Sequence, residues 1–307
     1  MVLKVADSSL LLSSLLCSYF FFFLFFFSLS RLFFSSLSFS SLFLASLLLL
    51  PLLPPLLLFS PPPPFRYFIP PGDDVWPKFH EEWFAASKEF LLSIGLREDL
   101  MGIDVHEGDS LAHYARACTD ITFRFPFGVS ELMGVAARGN FDLTQHAEGS
   151  GKSMEYYDEV TKEKYIPHVI EPSLGVDRLF LALICSAYAE DEIGGEKRNF
   201  LKFHPSVAPV KVSVLPLVKN KPELVEVAKK LHGELQKRWN VDFDTSGAVG
   251  RRYRRADEIG TPFCVTVDFE TIEKDNCVTI RNRDTTEQIR VPIDDVVGIL
   301  GKEIDGY

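Results

Sequence analysis

From residue 76 onward, apolar positions switch repeatedly between a helical period and a strand period. Trp76 to about Ile94 reads as a helix, with Phe79, Trp83, Phe90, Leu91 and Ile94 along one side. Asp120 to Phe125 alternates like a strand and stops at Pro126, and Glu131 to Val135 reads as its partner. Residues 149–162 are polar and predict an exposed loop. Residues 165–170 form a strand-like run that leads into a helix over 174–189. In that helix Val176, Leu179, Phe180, Leu183, Ile184, Ala187 and Tyr188 follow the i, i+3, i+4, i+7 rule, while Leu174, Leu181 and Cys185 fill the other side. A helix apolar nearly all round is expected to be central and buried. Residues 191–198 read as a charged, glycine-containing linker, which places a boundary near residue 205.

The second half alternates strand and helix. Val210 to Pro216 is a β-branched strand, and Leu224, Val227, Ala228, Leu231 and Leu235 mark an amphipathic helix. Val241 to Asp244 is a short strand, followed by a short basic helix from Ala248 to Ile259. Cys264 to Phe269 and Val278 to Arg281 are strands, and Asp294 to Ile304 is a last helix. Such alternation predicts a mixed sheet with helices on its faces.

The stretch before residue 76 differs in kind. From Ser8 to Phe65 every residue is Phe, Leu, Ser or Pro except Cys17, Tyr19, Arg31 and Ala45. Codons built only of C and T encode those four amino acids and no others, and one purine accounts for each exception. A translated polypyrimidine tract is the simplest account of this segment. A membrane span or a targeting peptide is the rival. The apolar length suffices to cross a bilayer, but Ser residues and Pro51, Pro54 and Pro55 interrupt it. A transit peptide is Arg-rich and amphipathic, whereas only Lys4 and Arg31 precede Arg66. Residues 1–75 are therefore expected to be unstructured or membrane-like.

The remainder, about 230 residues, suffices for one large or two modest domains. The net charge of −10 means that any contact with nucleic acid must come from a local patch. Arg251, Arg252, Arg254 and Arg255 form such a patch, with Arg251 and Arg255 on one helical face. The plainer reading is a solvated helix paired with Asp257 and Glu258. Cys118, Cys185, Cys264 and Cys277 are scattered, without metal-ligand spacing, as in a reducing compartment.

Residues 171–178, Glu-Pro-Ser-Leu-Gly-Val-Asp-Arg, carry the strongest chemical signal. A strand that ends in the Glu171 carboxylate and turns directly into a helix is suited to building a site. The helix start offers free N–H groups and a positive dipole end to an anion. Arg178, about one turn inside, is expected to meet an anion or a flat aromatic face. The competing reading is an internal ion pair of Arg178 with Asp177 or Glu171.

The octapeptide resembles the third signature motif of class II aminoacyl-tRNA synthetases, and its Glu-Pro-Ser opening resembles the glycine-specific family. The resemblance continues in residues 131–143, Glu-Leu-Met-Gly-Val-Ala-Ala-Arg-Gly-Asn-Phe-Asp-Leu, and in residues 244–263 around the arginine cluster. It implies an α+β catalytic unit with an antiparallel sheet over 76–205, present in part. An α/β anticodon-binding domain with a mixed sheet would follow over 206–307. It also implies ATP-dependent activation of glycine to an adenylate and transfer to tRNA(Gly), in a homodimer. On this resemblance Glu171 holds the substrate ammonium and Ser173 adds a contact. Arg138 pairs with the carboxylate, and Pro172, Leu174 and Gly175 complete the glycine pocket. Arg178 stacks on adenine and reaches the γ-phosphate, with Glu131, Leu132, Gly175, Val176 and Asp177 at the ATP site. A Mg²⁺ held near Glu131 and tRNA contacts from Arg251, Arg252, Arg254 and Arg255 belong to the same expectation. For His113 and His146 a satisfied structural histidine is the preferred reading, with a place near the pocket as the alternative.

In the family, the first motif builds the dimer interface and the second grips the α-phosphate. Both lie upstream of the region matching Trp76, where this chain has its Phe/Leu/Ser/Pro stretch. The chain as written is therefore expected not to charge tRNA at a useful rate. A non-catalytic tRNA-binding or regulatory protein derived from a synthetase is the alternative. A cytoplasmic location is expected, with mitochondrion or plastid as the alternative.

Overall fold

The computed structural model describes residues 65–306. The readings of residues 1–64 lie outside the described residues. Among the described residues no helix is long and apolar enough to cross a membrane.

In chain order, strand β1 (Tyr67–Ile69) precedes helix α1 (Trp76–Ser93), and strands β2 (Met101–His106), β3 (Ala117–Phe125) and β4 (Gly128–Gly139) follow. Helix α2 (Phe141–Ser150) and the two-residue strands β5 (Tyr156–Tyr157) and β6 (Lys164–Tyr165) lead to β7 (His168–Leu174) and helix α3 (Val176–Ala187). β8 (Tyr188–Ile193) and β9 (Glu196–Leu201) come next. The remaining elements are β10 (Val212–Pro216), α4 (Pro222–Leu235), β11 (Val241–Phe243), α5 (Val249–Glu258), β12 (Phe263–Val267), β13 (Cys277–Asn282), β14 (Gln288–Pro292) and α6 (Val296–Asp305).

The first large sheet has five strands in the order β1-β7-β4-β3-β2. Its edge strand β1 pairs antiparallel with β7 in the register Tyr67↔Ile170, Phe68↔Val169, Ile69↔His168. Residues 67–69, inside the stretch set apart by composition, thus belong to this sheet. The chain divides into two compact units. The described part of the first is residues 65–90, 105–119 and 134–173; the second holds 91–104, 120–133 and 174–306. In the first unit Ile69, Val135, Ala137 and Ile170 form a core against which Tyr67, Trp76, Phe79 and Trp83 pack. The aromatic side of α1 is core, as its spacing predicts.

In the second unit β10–β14 form a five-stranded mixed sheet of order β11-β10-β12-β13-β14. β10 runs parallel to β11 and β12, whereas β12–β13 and β13–β14 are antiparallel. Parallel neighbours need a crossover, which α4 and α5 supply. Leu224, Ala228, Leu231 and Leu235 of α4 pack with Val212, Val214, Val265 and Val267 of the sheet, and α6 adds Val296, Leu300 and Ile304.

Three expectations need correction. Helix α3 is covered along one stripe only: Leu179, Ala182, Ser186 and Ala187 are buried, whereas Val176 and Phe180 are 53% and 56% exposed. An all-round apolar pattern shows what each position tolerates, not how many neighbours cover it. Residues 191–198 are not a linker but most of the antiparallel β8–β9 hairpin. Gly194 and Gly195 take φ of 61° and 83°, the paired left-handed residues that a tight two-residue hairpin turn requires. The 149–162 loop likewise contains the end of α2 and strand β5.

The hairpin is tied to the mixed-sheet domain by buried charge. Arg198, 1% exposed, donates from Nη1 to Asp257 Oδ2 at 2.8 Å and to the Arg283 carbonyl at 2.9 Å. Its other nitrogens bind Asp191, and Arg281 grips Asp257 from the opposite side at 2.8 and 3.0 Å. Gly260 closes this region with φ of +82°; an added Cβ would collide with the Phe203 ring and lie 2.9 Å from the Leu201 carbonyl. Among the described residues the four cysteines are unbridged, and burial pushes the Cys264 thiol up to about 12.

Candidate functional site

Glu171 lies on β7, the strand whose apolar neighbours Val169 and Ile170 are 2% and 0% exposed. These flanking residues fix the strand in place and hold the carboxylate with it. Arg138 lies near the end of β4, and Gly139 then reverses the chain at φ of 60° to start α2. Asp142 falls in the first turn of α2, where a carboxylate is favoured by the helix dipole.

These residues meet in one ionic cluster of the first unit. Arg138 Nη1 donates to Glu171 Oε1 at 3.0 Å, while its Nε and Nη2 hold Asp142 at 2.7 and 3.2 Å. The Arg138 guanidinium also lies 4.0 Å from the centre of the Tyr114 ring. Arg66 donates from Nε to Glu171 Oε2 at 3.1 Å and stands 3.9 Å from Asp142. Side-chain exposure is 15% for Arg138, 16% for Asp142, 11% for Glu171 and 31% for Arg66. Burial opposes the Arg138 charge, but the hydrogen bonds and charges of Asp142 and Glu171 outweigh it, and its pKa lies above the ordinary arginine value. The Arg138 hydrogen bond holds the Asp142 carboxyl below the usual aspartate range, against the opposing effect of burial.

Pro172 is buried, Ser173 and Gly175 are exposed and Leu174 is half-buried. His113 is exposed and meets Tyr114 and Phe141 edge-on at 5.2 and 5.4 Å; His146 is exposed too.

A second constellation lies in the other unit, at the start of α3. Arg178 is not buried, as expected, but 48% exposed in its side chain. Its Nη1 donates to the Glu131 carbonyl at 2.5 Å and lies 3.8 Å from the Glu131 carboxylate. Neither Asp177 nor Glu171 is its partner: Glu171 carries Arg66 and Arg138, and Asp177 is exposed in the first turn of α3. Val176 is exposed as well, and the Leu132 side chain is part of the core. A Cβ added at Gly175 would meet only Arg178, at 3.8 Å, so space above this glycine is open. Glu131 offers one half-exposed carboxylate. That donor set fits a Mg²⁺ held chiefly by phosphate oxygens, the usual mode for this ion.

The arginine cluster lies on α5, and the fold separates its members. Arg252 is 2% exposed and donates to the carbonyls of Pro216, Asp244 and Leu217 at 2.6, 3.1 and 2.9 Å. It therefore leaves the predicted phosphate patch: one face of α5 must pack on the sheet, and position 252 lies on it together with Ala256. Burial lowers its pKa below the ordinary arginine value. Arg254 binds Glu196 and the Lys197 carbonyl, and Arg255 binds Asp244 and the Ser246 carbonyl. Asp257, which the plainer reading paired with the outer arginines, is itself buried on Arg198 and Arg281. Arg251 is exposed and makes no ion pair among the described residues. Arg252→Ala is expected to lower stability by about 1–3 kcal/mol in urea unfolding, because three carbonyls lose their donor. Arg251→Ala should leave the melting temperature within a degree or so of wild type, since it removes no buried partner.

Arg66, Asp142 and Tyr114 were not assigned from sequence. Asp142 carried a signal: an acid beside a reversal-prone Arg-Gly-Asn and at the start of an amphipathic segment. Arg66 carried none, because it closes a compositionally biased stretch.

Comparison with known proteins bears on both halves of the chain. Residues 211–303 match the anticodon binding domain family. The chain is 48% identical over 243 residues to a glycine–tRNA ligase of Bacillus cereus, a match covering 78% of this chain and 51% of that protein. It is 50% identical over 243 residues to the glycine–tRNA ligase of Caldanaerobacter subterraneus subsp. tengcongensis, covering 78% and 50%. With the glycine–tRNA ligase of Corynebacterium efficiens it shares 48% over 249 residues, covering 78% and 53%. The chain spans about half the length of the curated relatives it matches.

Proposed function

We infer that the chain belongs to the glycine–tRNA ligase family, whose members it matches at 48–50% identity over 78% of its length, and that this protein serves the ligation of glycine to tRNA(Gly) through an ATP-dependent glycyl-adenylate. The observation that carries the reading is the Glu171–Arg138 pair at 3.0 Å on adjacent strands. A substrate with one ammonium and one carboxylate matches a carboxylate and a guanidinium held side by side. Glu171 takes the ammonium and Arg138 the carboxylate, while Ser173, exposed beside them, adds a hydroxyl contact. Pro172, Leu174 and Gly175 complete the glycine pocket, and overfilling a rigid site is how alanine is refused. Orientation of the carboxylate toward the α-phosphate is the main service such a site renders. Arg178, with its planar guanidinium half-exposed, is suited to stack on adenine and pair with phosphate, next to Glu131, Leu132, Val176 and Asp177. ATP and Mg²⁺ are the cofactors of this reading, and Mg²⁺ would screen phosphate charge near Glu131.

The domain at 211–303 is the tRNA-binding part. Arg251 is the phosphate contact, with Arg254 and Arg255 available where their acidic partners yield. Filter binding should show tRNA affinity falling with salt, and Arg251→Ala should reduce the log–log salt slope by about one. An unchanged slope would remove Arg251 from the interface, and an unchanged affinity with Arg251, Arg252, Arg254 and Arg255 all changed to Ala would remove α5. A division at residue 205 into a partial catalytic domain and an anticodon-binding domain accompanies this reading, as does a homodimer.

A second reading, a tRNA-binding protein without ligase chemistry, is favoured by the mutual occupancy of Glu171 with Arg66 and Arg138. Glycine-dependent pyrophosphate exchange separates the two. Exchange above the no-enzyme rate supports the ligase; tRNA binding with no exchange, in a chain that also carries the family's two upstream motifs, supports the alternative.

A further inference from the structure

Both oxygens of the Glu171 carboxylate already carry a cation. Oε1 receives Arg138 at 3.0 Å and Oε2 receives Arg66 at 3.1 Å. An incoming ammonium must therefore displace one of them. We propose that Arg66 is the exchangeable counter-ion of Glu171, and that the cluster it completes selects a small zwitterion over a lone amine or a lone carboxylate. The proposal rests on the glycine reading only for the identity of the zwitterion.

The two arginines are held very differently. Arg138 makes three hydrogen bonds to two carboxylates and lies on the Tyr114 ring. A guanidinium bonded as a fork and stacked is the less movable partner. Arg66 makes one hydrogen bond to Glu171, with Asp142 further away at 3.9 Å. Its side chain is 31% exposed against 15% for Arg138. It also precedes a three-residue strand at the sheet edge, paired on one side only. Little beyond the Glu171 contact holds its position.

Charge balance then sets the selectivity. Two guanidiniums and two carboxylates sum to zero, and each acid has at least one cation. A lone amine that takes Oε2 strands the Arg66 charge. A lone carboxylate that takes Arg66 withdraws a cation from Glu171. A zwitterion offers its ammonium to Glu171 and its carboxylate to Arg66 or Arg138, so one ion pair is exchanged for two. Partly buried unpaired charges are costly, so the zwitterion is the ligand that leaves none.

The test is calorimetric titration of the full chain with glycine, methylammonium chloride and sodium acetate at constant ionic strength. Wild type, Arg66→Met and Arg66→Lys are compared, each with its melting temperature. Wild type should bind glycine more tightly than either half-ligand. In Arg66→Met, methylammonium should gain about tenfold, because Glu171 loses its resident competitor, and the preference for glycine over methylammonium should fall about tenfold, because the zwitterion loses Arg66 as a partner for its carboxylate. Arg66→Lys keeps the cation and should keep the wild-type order. The methionine side chain leaves the β1–β7 backbone pairing intact, and Arg66→Gln is read in the same way should Arg66→Met not fold. A methylammonium affinity equal in wild type, Arg66→Met and Arg66→Gln would overturn the assignment of Arg66. Gain of methylammonium without glycine binding in any form would keep Arg66 as the counter-ion and remove the glycine reading instead.

Discussion

Asp257→Ala is expected to lower the stability of the second unit by about 3–5 kcal/mol, because it strands two buried guanidiniums at once. The Asp257 side chain is 1% exposed, and its partners Arg198 and Arg281 are 1% and 7% exposed. Both oxygens are in use: Arg281 grips Oδ1 and Oδ2, and Arg198 takes Oδ2. Alanine leaves these charges facing a small void with no anion to replace the lost one. Arg198 keeps Asp191 and the Arg283 carbonyl, which blunts the loss on that side. Arg281 has the Tyr253 ring at 4.9 Å and, among the described residues, no second carboxylate partner. Urea unfolding of the variant beside wild type measures the effect, through the midpoint at an unchanged slope. Asp191→Ala is the control, since Asp191 is 36% exposed and solvent can replace part of its role. A loss for Asp257→Ala no larger than for Asp191→Ala would mean that the hairpin and the mixed-sheet domain are held by packing, not by this charge cluster.

In a chain that also carries the family's two upstream motifs, Glu171→Gln is expected to weaken the use of glycine on the order of a hundredfold, the equivalent of roughly 3 kcal/mol for a largely buried charged contact. The substitution keeps the shape of the side chain and removes only the negative charge that faces the ammonium. Glycine-dependent pyrophosphate exchange and direct glycine binding are the two measurements, and both should fall. Near-wild-type exchange would make Glu171 a structural partner of Arg138 and Arg66 and nothing more. The same cluster predicts a pH dependence. The native Asp142 carboxyl titrates below its ordinary range, chiefly because Arg138 donates to it. A depressed native value means that the acid's contribution is complete above the unfolded aspartate range. It is lost as pH falls through the lower native value. The stability of the first unit should therefore hold across neutral pH and fall on the acid side, and Asp142→Asn should lower it at neutral pH while flattening part of that acid fall, as urea unfolding at several pH values would show.

The order of elements was largely legible from residue 76 onward. Period and β-branching marked α1, β3, β4, β7 and α3, and the strand–helix alternation marked the mixed sheet, because each of these buries a face whose spacing is local. The elements that escaped lie at sheet edges or carry much charge. β2 does alternate, as Met-Gly-Ile-Asp-Val-His over 101–106, yet its residues 102–105 are exposed at the edge of the sheet, and β14 is likewise mostly exposed at the edge of its own. The β8–β9 hairpin is so charged that its strands read as a linker, and its turn depends on two glycines whose backbone freedom has no hydropathy signal.

By itself the sequence determined that a strand carrying Glu171 leads into a helix start, although that strand runs on past Glu171 to Leu174, and that the C-terminal half carries an amphipathic α/β pattern. Only the tertiary structure decided which charges meet. Arg66 reaches Glu171 across 105 positions, and Arg198 reaches Asp257 across 59. Four arginines within five positions look alike as a sequence, yet packing turned Arg252 inward and left Arg251 in solvent. The physical reason is the same in each case. Hydrophobic spacing is a property of neighbours along the chain, whereas the partner of a buried charge is set by whichever acid the folded sheet brings within about 3 Å of it.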